Sequence, residues 1–204
     1  MTSNLNQILR DMILKLGNST STRLPVSDFH AKQFLNIDIQ KGCAISSDSL
    51  IGEYTYIGMN TTVTKSVIGR YCSIANNVSI GDGEHTLDRI STSSLFYNNA
   101  YEELTKNKCV IGNDVWIGTK SIVRRGVVIG DGAVVGANSF VNKDVPNFSV
   151  VVGTPAKIIK YRFSETIIDL VNKSKWWELD IESAKVEIMR LEHTIQKLKF
   201  DSNL

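Results

Sequence analysis

The stretch VIGNDVWIGTKSIVRRGVVIGDGAVVGANSFVNKDV repeats itself in sixes. Ile111, Ile117, Val123, Ile129, Val135 and Val141 stand six residues apart, and four positions after each comes a small or β-branched residue: Val115, Ser121, Val127, Ala133, Ser139 and Val145. The first half obeys the same rule through Ile45, Ile51, Ile57 and Val63, then Ile68, Ile74 and Ile80, with a single step of five after Val63. Gly52, Gly58, Gly69, Gly81, Gly112, Gly118, Gly130 and Gly136 each follow an aliphatic directly, so eight of the 14 glycines share one register position.

A period of six suits neither a helix, which wants apolar residues three and four apart, nor a long strand, which wants strict alternation. It suits a short strand and a sharp corner, repeated, with the aliphatic pointing inward. Glycine after the aliphatic, and Asn at Asn142, are what a corner with unusual backbone angles would select. One such unit cannot bury its own apolar residue, so coils must stack at an inter-strand spacing of about 4.8 Å. Each Ile or Val taken inside then contributes about 1.5–3 kcal/mol. The competing arrangement, a sandwich of evenly spaced strands, leaves this register unexplained. The spacing predicts a parallel solenoid.

Composition narrows the class. The chain has 204 residues, which suits one domain with a terminal appendage, and 23 basic against 21 acidic residues leave a formal charge of only +2. No run of Lys or Arg suggests a nucleic-acid track. Cys43, Cys72 and Cys109 are odd in number and lack CxxC spacing. Neither a disulfide framework nor a structural metal site is expected, and a reducing cytoplasm is. Arg10, Asp11 and Lys15 interrupt the N-terminal apolar residues, which argues against a signal peptide. Leu5, Ile8, Leu9, Met12, Ile13 and Leu16 instead predict an amphipathic helix with Ser3 as N-cap, inside a segment of helix and linker over 1–26. The main domain is expected over 27–161 and a helical extension over 162–204. In that extension Ile181, Ala184, Ile188, Leu191, Ile195 and Leu198 alternate by three and four. The extension either packs on the solenoid or associates at an oligomer axis. Trp176 and Trp177 are read as its hydrophobic anchor.

After Gly81 the beat stops until Ile111. A smooth solenoid has no pocket, and a loop leaving the coil is the simplest way to make one. Residues 82–108 are read as that excursion, carrying His85, Asp88, Arg89, Ser91, Thr92, Phe96, Tyr97 and Tyr101. Of three histidines, His30 and His193 lie outside the repeat, and His85 stands just past the break. On the residues alone His85 is either a plain loop histidine or a general base.

The segments IGNDVWIG, IGDGAVVGANSFV and VVGTPAKII resemble the hexapeptide-repeat acyltransferases. RFSETIIDLVNKSKWW and EHTLDRIST resemble the xenobiotic (chloramphenicol and streptogramin) acetyltransferase branch of that superfamily. The resemblance implies a mainly β fold, a left-handed parallel β-helix, with acetyl-CoA as acyl donor in a groove between subunits of a homotrimer. It makes His85 the catalytic base. Asp88 matches an acidic loop position, with a salt bridge to Arg89 as its bland alternative, and Ser91 and Thr92 continue the match. Trp116 would flank the reactive end of the groove, Thr119 would border it, and Ala137 would offer backbone groups to the pantetheine. Asn142, which stands where Thr is often found, would be a further cofactor contact. Lys157 and Lys160 would face the cofactor phosphates.

Imidazole, with an ordinary pKa of about 6.5, suits a direct transfer in which a hydroxyl attacks the thioester. The expected acceptor is a sugar hydroxyl of a capsule- or O-antigen-type polysaccharide. The alternatives are a chloramphenicol- or streptogramin-type antibiotic and the amine of an amino-sugar nucleotide. Two departures favour the sugar. The stretch IGEYTYIGMNTTVTKSVIG runs on as plain hexads without the Tyr-rich acceptor insert, and SSLF replaces an FPF-like run after Thr92. A zinc hydratase on this fold would need converging imidazoles, and the repeat region offers one histidine.

Overall fold

The computed structural model describes residues 36–201. The expected N-terminal helix and His30 lie outside the described residues. The chain winds in coils of two- to four-residue strands. The first coil holds β1 (Asp38–Ile39), β2 (Ala44–Ile45) and β3 (Leu50–Ile51); the second holds β4 (Tyr56–Ile57), β5 (Thr62–Val63) and β6 (Ser66–Ile68). The third holds β7 (Ser73–Ile74), β8 (Ser79–Ile80) and β9 (Cys109–Ile111); the fourth holds β10 (Trp116–Ile117), β11 (Ile122–Val123) and β12 (Val128–Ile129). Then come β13 (Val134–Val135), β14 (Phe140–Val141), β15 (Ser149–Val152) and β16 (Lys157–Tyr161).

These strands pair into three faces in the orders β1-β4-β7-β10-β13-β15-β16, β2-β5-β8-β11-β14 and β3-β6-β9-β12. Every pairing is parallel except β15 with β16. This is the parallel β-helix that the six-residue period predicts.

Register places like on like. Ile39, Ile57, Ile74, Ile117, Val135 and Val151 form one inward column, and Ile45, Val63, Ile80, Val123 and Val141 form a second. Ile51, Ile68, Ile111 and Ile129 form the third. Each coil also buries a smaller residue two positions before its aliphatic. At three of these positions a hydroxyl is satisfied by a carbonyl of the next coil. Thr55 Oγ1 donates to Gly69 O, Thr61 Oγ1 to Ala75 O and Ser121 Oγ to Gly136 O, each at 2.9 Å. The three thiols do the same, Cys43 to Gly58 O at 3.1 Å, Cys72 to Gly112 O at 3.1 Å and Cys109 to Arg124 O at 3.0 Å.

All three cysteines are free and buried. Burial pushes the Cys72 thiol up to about 12 and raises Cys43 and Cys109 above the ordinary thiol range. Ellman's reagent at pH 8 is therefore expected to find no reactive thiol in the native protein and three after denaturation. A fast native reaction would mean that the coils open readily.

One reading of the glycines needs correction. The glycine after each aliphatic is not, in general, the residue with unusual angles. Left-handed angles fall three positions after the aliphatic, on Tyr54, Asn60, Tyr71, Asn77, Asp114, Lys120, Asn138 and Phe148 among others. The glycines serve close approach instead. A Cβ on Gly118 would stand 2.5 Å from Ala137 N and 2.8 Å from Ala137 Cα, backbone that the coil spacing cannot move away.

The C-terminal extension folds back on the corner between the third and first faces. It comprises α2 (Glu165–Ser174), a 3-10 turn over Trp176–Glu178 and α3 (Ile181–Asp201), while α1 (Ala100–Leu104) belongs to the loop excursion. Tyr54 stacks on Tyr71 with ring centroids 4.7 Å apart, and Tyr71 meets Trp176 at 5.1 Å. Arg70 donates to Glu178 O and Leu179 O, both at 3.0 Å, and Tyr71 Oη donates to Leu179 O at 2.8 Å. Trp176, Trp177, Ile167, Val171, Ala184 and Leu191 are buried with Phe148 in one cluster. The tryptophan pair anchors the tail. No helix among the described residues is long and apolar enough to cross a membrane.

Candidate active site

The coil breaks at Gly81. Its φ of +66° is open to glycine, and a Cβ there would stand 2.9 Å from Thr64 O and 2.8 Å from Ser66 Oγ. Residues 82–108 then leave the corner between the second and third faces. The excursion has a small interior of its own. Tyr97 is buried, its hydroxyl accepts the Thr86 N–H at 3.0 Å, and the Arg89 guanidinium lies 4.2 Å over its ring. Arg89 also donates to Phe96 O at 3.0 Å and pairs with Glu103 at 2.9 Å. Asn99 caps α1 by accepting Glu102 N–H at 3.4 Å, and Glu103 returns a bond to Asn99 N–H at 3.3 Å. Tyr101 Oη donates to Asp48 at 2.8 Å and Lys65 pairs with Glu102, which fasten α1 to the corners of the first two coils.

His85 is exposed, with its ring nearly perpendicular to that of Tyr97 and the centroids 6.1 Å apart. Its Nδ1 hydrogen-bonds the Thr92 carbonyl. A carbonyl can only accept, so Nδ1 carries the proton, and in the neutral ring Nε2 is the nitrogen that holds the lone pair. This is the arrangement a general base needs. Thr92, which the loop resemblance reaches, thus meets His85 through its backbone carbonyl.

Asp88 is exposed and makes no hydrogen bond or ion pair among the described residues, because Arg89 turns to Glu103 instead. The Asp88–Arg89 bridge is thereby overturned. Ser91 Oγ accepts the Ser93 N–H at 3.2 Å.

The remaining residues of the sequence reading lie along another edge. Trp116 is 55% exposed on the first face, between Ser73 and Val134. It lines an open recess of about 460 Å³ with Asp114 and Arg162. Burial raises the Asp114 carboxyl above its ordinary range, against the opposing pull of Arg162 at 2.9 Å. Thr119 sits at the corner between the first and second faces, where its Oγ1 donates to Asn76 O at 2.8 Å, and Ala137 occupies the same corner one coil on. Lys157 and Lys160 are exposed on β16, opposite Val152 and Val150, at the end of the first face. Asn142 is different: with Gly81 and Arg124 it stacks on the corner from which the His85 loop departs. Within one chain, His85 and Asn142 thus stand at one edge of the second face, and Thr119 and Ala137 at the other, next to Trp116.

Two further residues at the loop escaped the sequence reading. Arg124 forms a two-pronged pair with Glu84 at 2.6 and 2.7 Å, and Arg125 is buried against backbone carbonyls. The signal was present, because Arg124 occupies the register position that glycine holds in most coils.

Comparison with known proteins agrees with this geometry. Residues 108–143 match the family described as bacterial transferase hexapeptide (six repeats). The chain is 39% identical over 140 residues to a chloramphenicol acetyltransferase of Klebsiella aerogenes, covering 63% of this chain and 67% of that protein. It is 36% identical over 164 residues to a probable macrolide acetyltransferase of Lysinibacillus sphaericus, covering 74% and 88%. Over 129 residues it is 38% identical to a putative lipopolysaccharide biosynthesis O-acetyltransferase of Escherichia coli, covering 62% and 64%. It spans 62–67% of the length of the first three chloramphenicol acetyltransferases it matches. Among solved structures, a hexapeptide-repeat acetyltransferase of Vibrio cholerae complexed with acetyl coenzyme A superposes with a TM-score of 0.53 at 28% identity, over 74% of this chain and 83% of that one. The chain belongs to the hexapeptide-repeat acetyltransferases, and its repeat and coil register are those of their left-handed parallel β-helix.

Proposed function

We propose that the protein transfers acetyl from acetyl-CoA to a hydroxyl of a bacterial polysaccharide or its precursor, with His85 as general base. The observation that carries this reading is the Nδ1 contact of His85 with the Thr92 carbonyl, which leaves Nε2 as acceptor. The acceptor hydroxyl gives its proton to Nε2 as its oxygen bonds to the thioester carbonyl carbon. Collapse of the tetrahedral adduct breaks the C–S bond, and the imidazolium returns the proton to the CoA thiolate. Direct transfer of this kind needs no serine or cysteine nucleophile.

The donor edge fits a polyanionic thioester. Trp116 and Ala137 are exposed, and Lys157 and Lys160 offer two solvated cations farther along the stack. Because this edge and His85 lie on opposite sides of one face, a second copy is needed to bring them together. That supports the homotrimer, with sites between subunits. Leu87, Ile90, Leu95 and Phe96, all highly exposed on the loop of one chain, fit coverage by such a neighbour. Three buried free thiols suit the cytoplasm, where acetyl-CoA would be drawn from.

For the acceptor, the first two coils run without a projecting insert among the described residues, which suits an extended glycan. The similarity to a putative lipopolysaccharide O-acetyltransferase points the same way. The same exposed apolar loop residues, with the similarity to chloramphenicol and macrolide acetyltransferases, favour a second reading, an apolar antibiotic. CoA-thiol release separates them when measured with capsule or O-antigen oligosaccharides, amino-sugar nucleotides, chloramphenicol, a streptogramin and a macrolide. Release driven by the oligosaccharides alone is the expected result. Release driven by a drug would replace the carbohydrate acceptor, and release driven only by an amino-sugar would make the product an amide.

A further inference from the structure

The excursion that carries His85 is gripped at both ends by consecutive residues of a single corner in the fourth coil. At its entry, Arg124 Nε and Nη2 donate to the two carboxylate oxygens of Glu84, at 2.6 and 2.7 Å, and Glu84 directly precedes His85. At its exit, Arg125 Nη1 donates to Asn107 O at 3.0 Å, just before the chain re-enters the coil at β9. The same guanidinium donates to Lys65 O at 3.1 Å and Thr64 O at 2.8 Å, tying the exit to the second coil. Lys65 in turn pairs with Glu102 on α1.

The two arginines act by different physics. The Arg124–Glu84 pair is half exposed, with side chains 49% and 39% accessible, and such pairs add little to stability. Its two-pronged geometry nevertheless fixes the direction in which Glu84, and hence His85, leaves the backbone. Arg125 is 9% exposed, and its guanidinium is held by carbonyl dipoles rather than by a carboxylate. Its buried Nε–H has no acceptor among the described residues. A buried cation with one donor unmet is a poor device for stability alone. Three carbonyls drawn from two separate chain segments onto one planar group are a good device for position.

We propose that Arg124 and Arg125 are positioning residues for acyl transfer, a clamp that sets where His85 stands relative to the donor edge, with Arg125 dominant. The proposal rests on the reading of His85 as base. Misplacing a reacting group by about 1 Å can cost about 100-fold in rate. Arg125→Ala is accordingly expected to lower kcat about 100-fold while KM for acetyl-CoA stays within about threefold, since the donor edge is untouched. Lysine keeps the charge but lacks the planar fork that spans the Thr64, Lys65 and Asn107 carbonyls, so Arg125→Lys should recover only part of the loss. Glu84→Ala and Arg124→Ala should each cost about tenfold, and the double variant no more than either single one, because both break the same pair.

Amide hydrogen exchange supplies a readout that needs no acceptor. In Arg125→Ala, exchange should quicken across 82–108 and stay unchanged in the strands of the coils. Unchanged exchange in the loop, or equal quickening in loop and coils, would overturn the clamp. So would a fall in activity carried by KM alone. Should Arg125→Ala fail to fold, the exposed Glu84–Arg124 pair carries the same test. His85→Ala, run alongside, keeps the two claims apart. If it transfers acetyl as fast as the wild type, the base assignment fails, while loop exchange still decides the clamp.

Discussion

His85→Ala is expected to lower kcat by about 100- to 10,000-fold, the range typical of a lost general base, with KM for acetyl-CoA little changed. The ring is exposed on a loop, so its loss removes one hydrogen bond to the Thr92 carbonyl and little packing. Thermal unfolding should therefore be nearly unaffected. His85→Asn sharpens the test. Its amide can still donate to the Thr92 carbonyl, but it offers no basic nitrogen at the outer end. If proton transfer is what His85 supplies, asparagine is as inactive as alanine. Recovery of most activity with asparagine would mean that the residue only holds the loop together.

The largest effect on stability is expected from the middle of the prism. Ile117→Ala should destabilise the protein by about 2–5 kcal/mol, read as a fall in denaturation midpoint at fixed protein concentration. Ile117 is fully buried between Ile74 and Val135 in the first column. Its coil cannot collapse into the space left behind. The Ile117 carbonyl accepts Ala75 N–H at 2.9 Å on one side, and Gly118 N–H donates to Val135 O at 2.8 Å on the other. The strands are therefore pinned at both edges, and a cavity persists. Val186→Ala on the exposed surface of α3 provides the contrast and should change stability by less than about 0.5 kcal/mol. Equal effects at the two positions would mean that the columns are not the source of the fold's stability.

These two residues differ in how far the sequence discloses them. Ile117 is legible because its environment is periodic: every sixth residue meets the same surroundings, so the inward columns can be read before any coordinate is known. The glycine register was just as visible, yet its cause was misread. Angles at a corner and clearance between coils both select glycine, and only the position of the left-handed residues, at Tyr54, Tyr71, Lys120 and their equivalents, separates the two. The loop was legible as an interruption and His85 as its notable residue. What holds His85 was not. The Thr92 carbonyl, the Tyr97 ring and the carbonyls of Thr64, Lys65 and Asn107 act through non-periodic contacts, and those made by Arg125 to Thr64 and Lys65 span about sixty residues of chain. Backbone acceptors carry no side-chain signature, so a one-dimensional reading passes over them. Arg124 could have been noticed, since it breaks the glycine register at the coil facing the excursion. The separation of His85 from the donor edge was also hidden, because adjacent corners of a prism look alike along the chain.

In the proposed reaction His85 moves the proton as acetyl passes directly from acetyl-CoA to a glycan hydroxyl. The most direct test is to supply acetyl-CoA labelled in its acetyl carbons with capsule or O-antigen oligosaccharides. Free CoA thiol and labelled acceptor would be followed together, by colour and by mass, for wild type and His85→Ala. Thiol and labelled ester should rise in equal amounts in the wild type, no label should stay on the protein, and both signals should collapse in the variant. Thiol release without labelled glycan, label retained on the protein, or equal rates in the two proteins would contradict the proposed reaction.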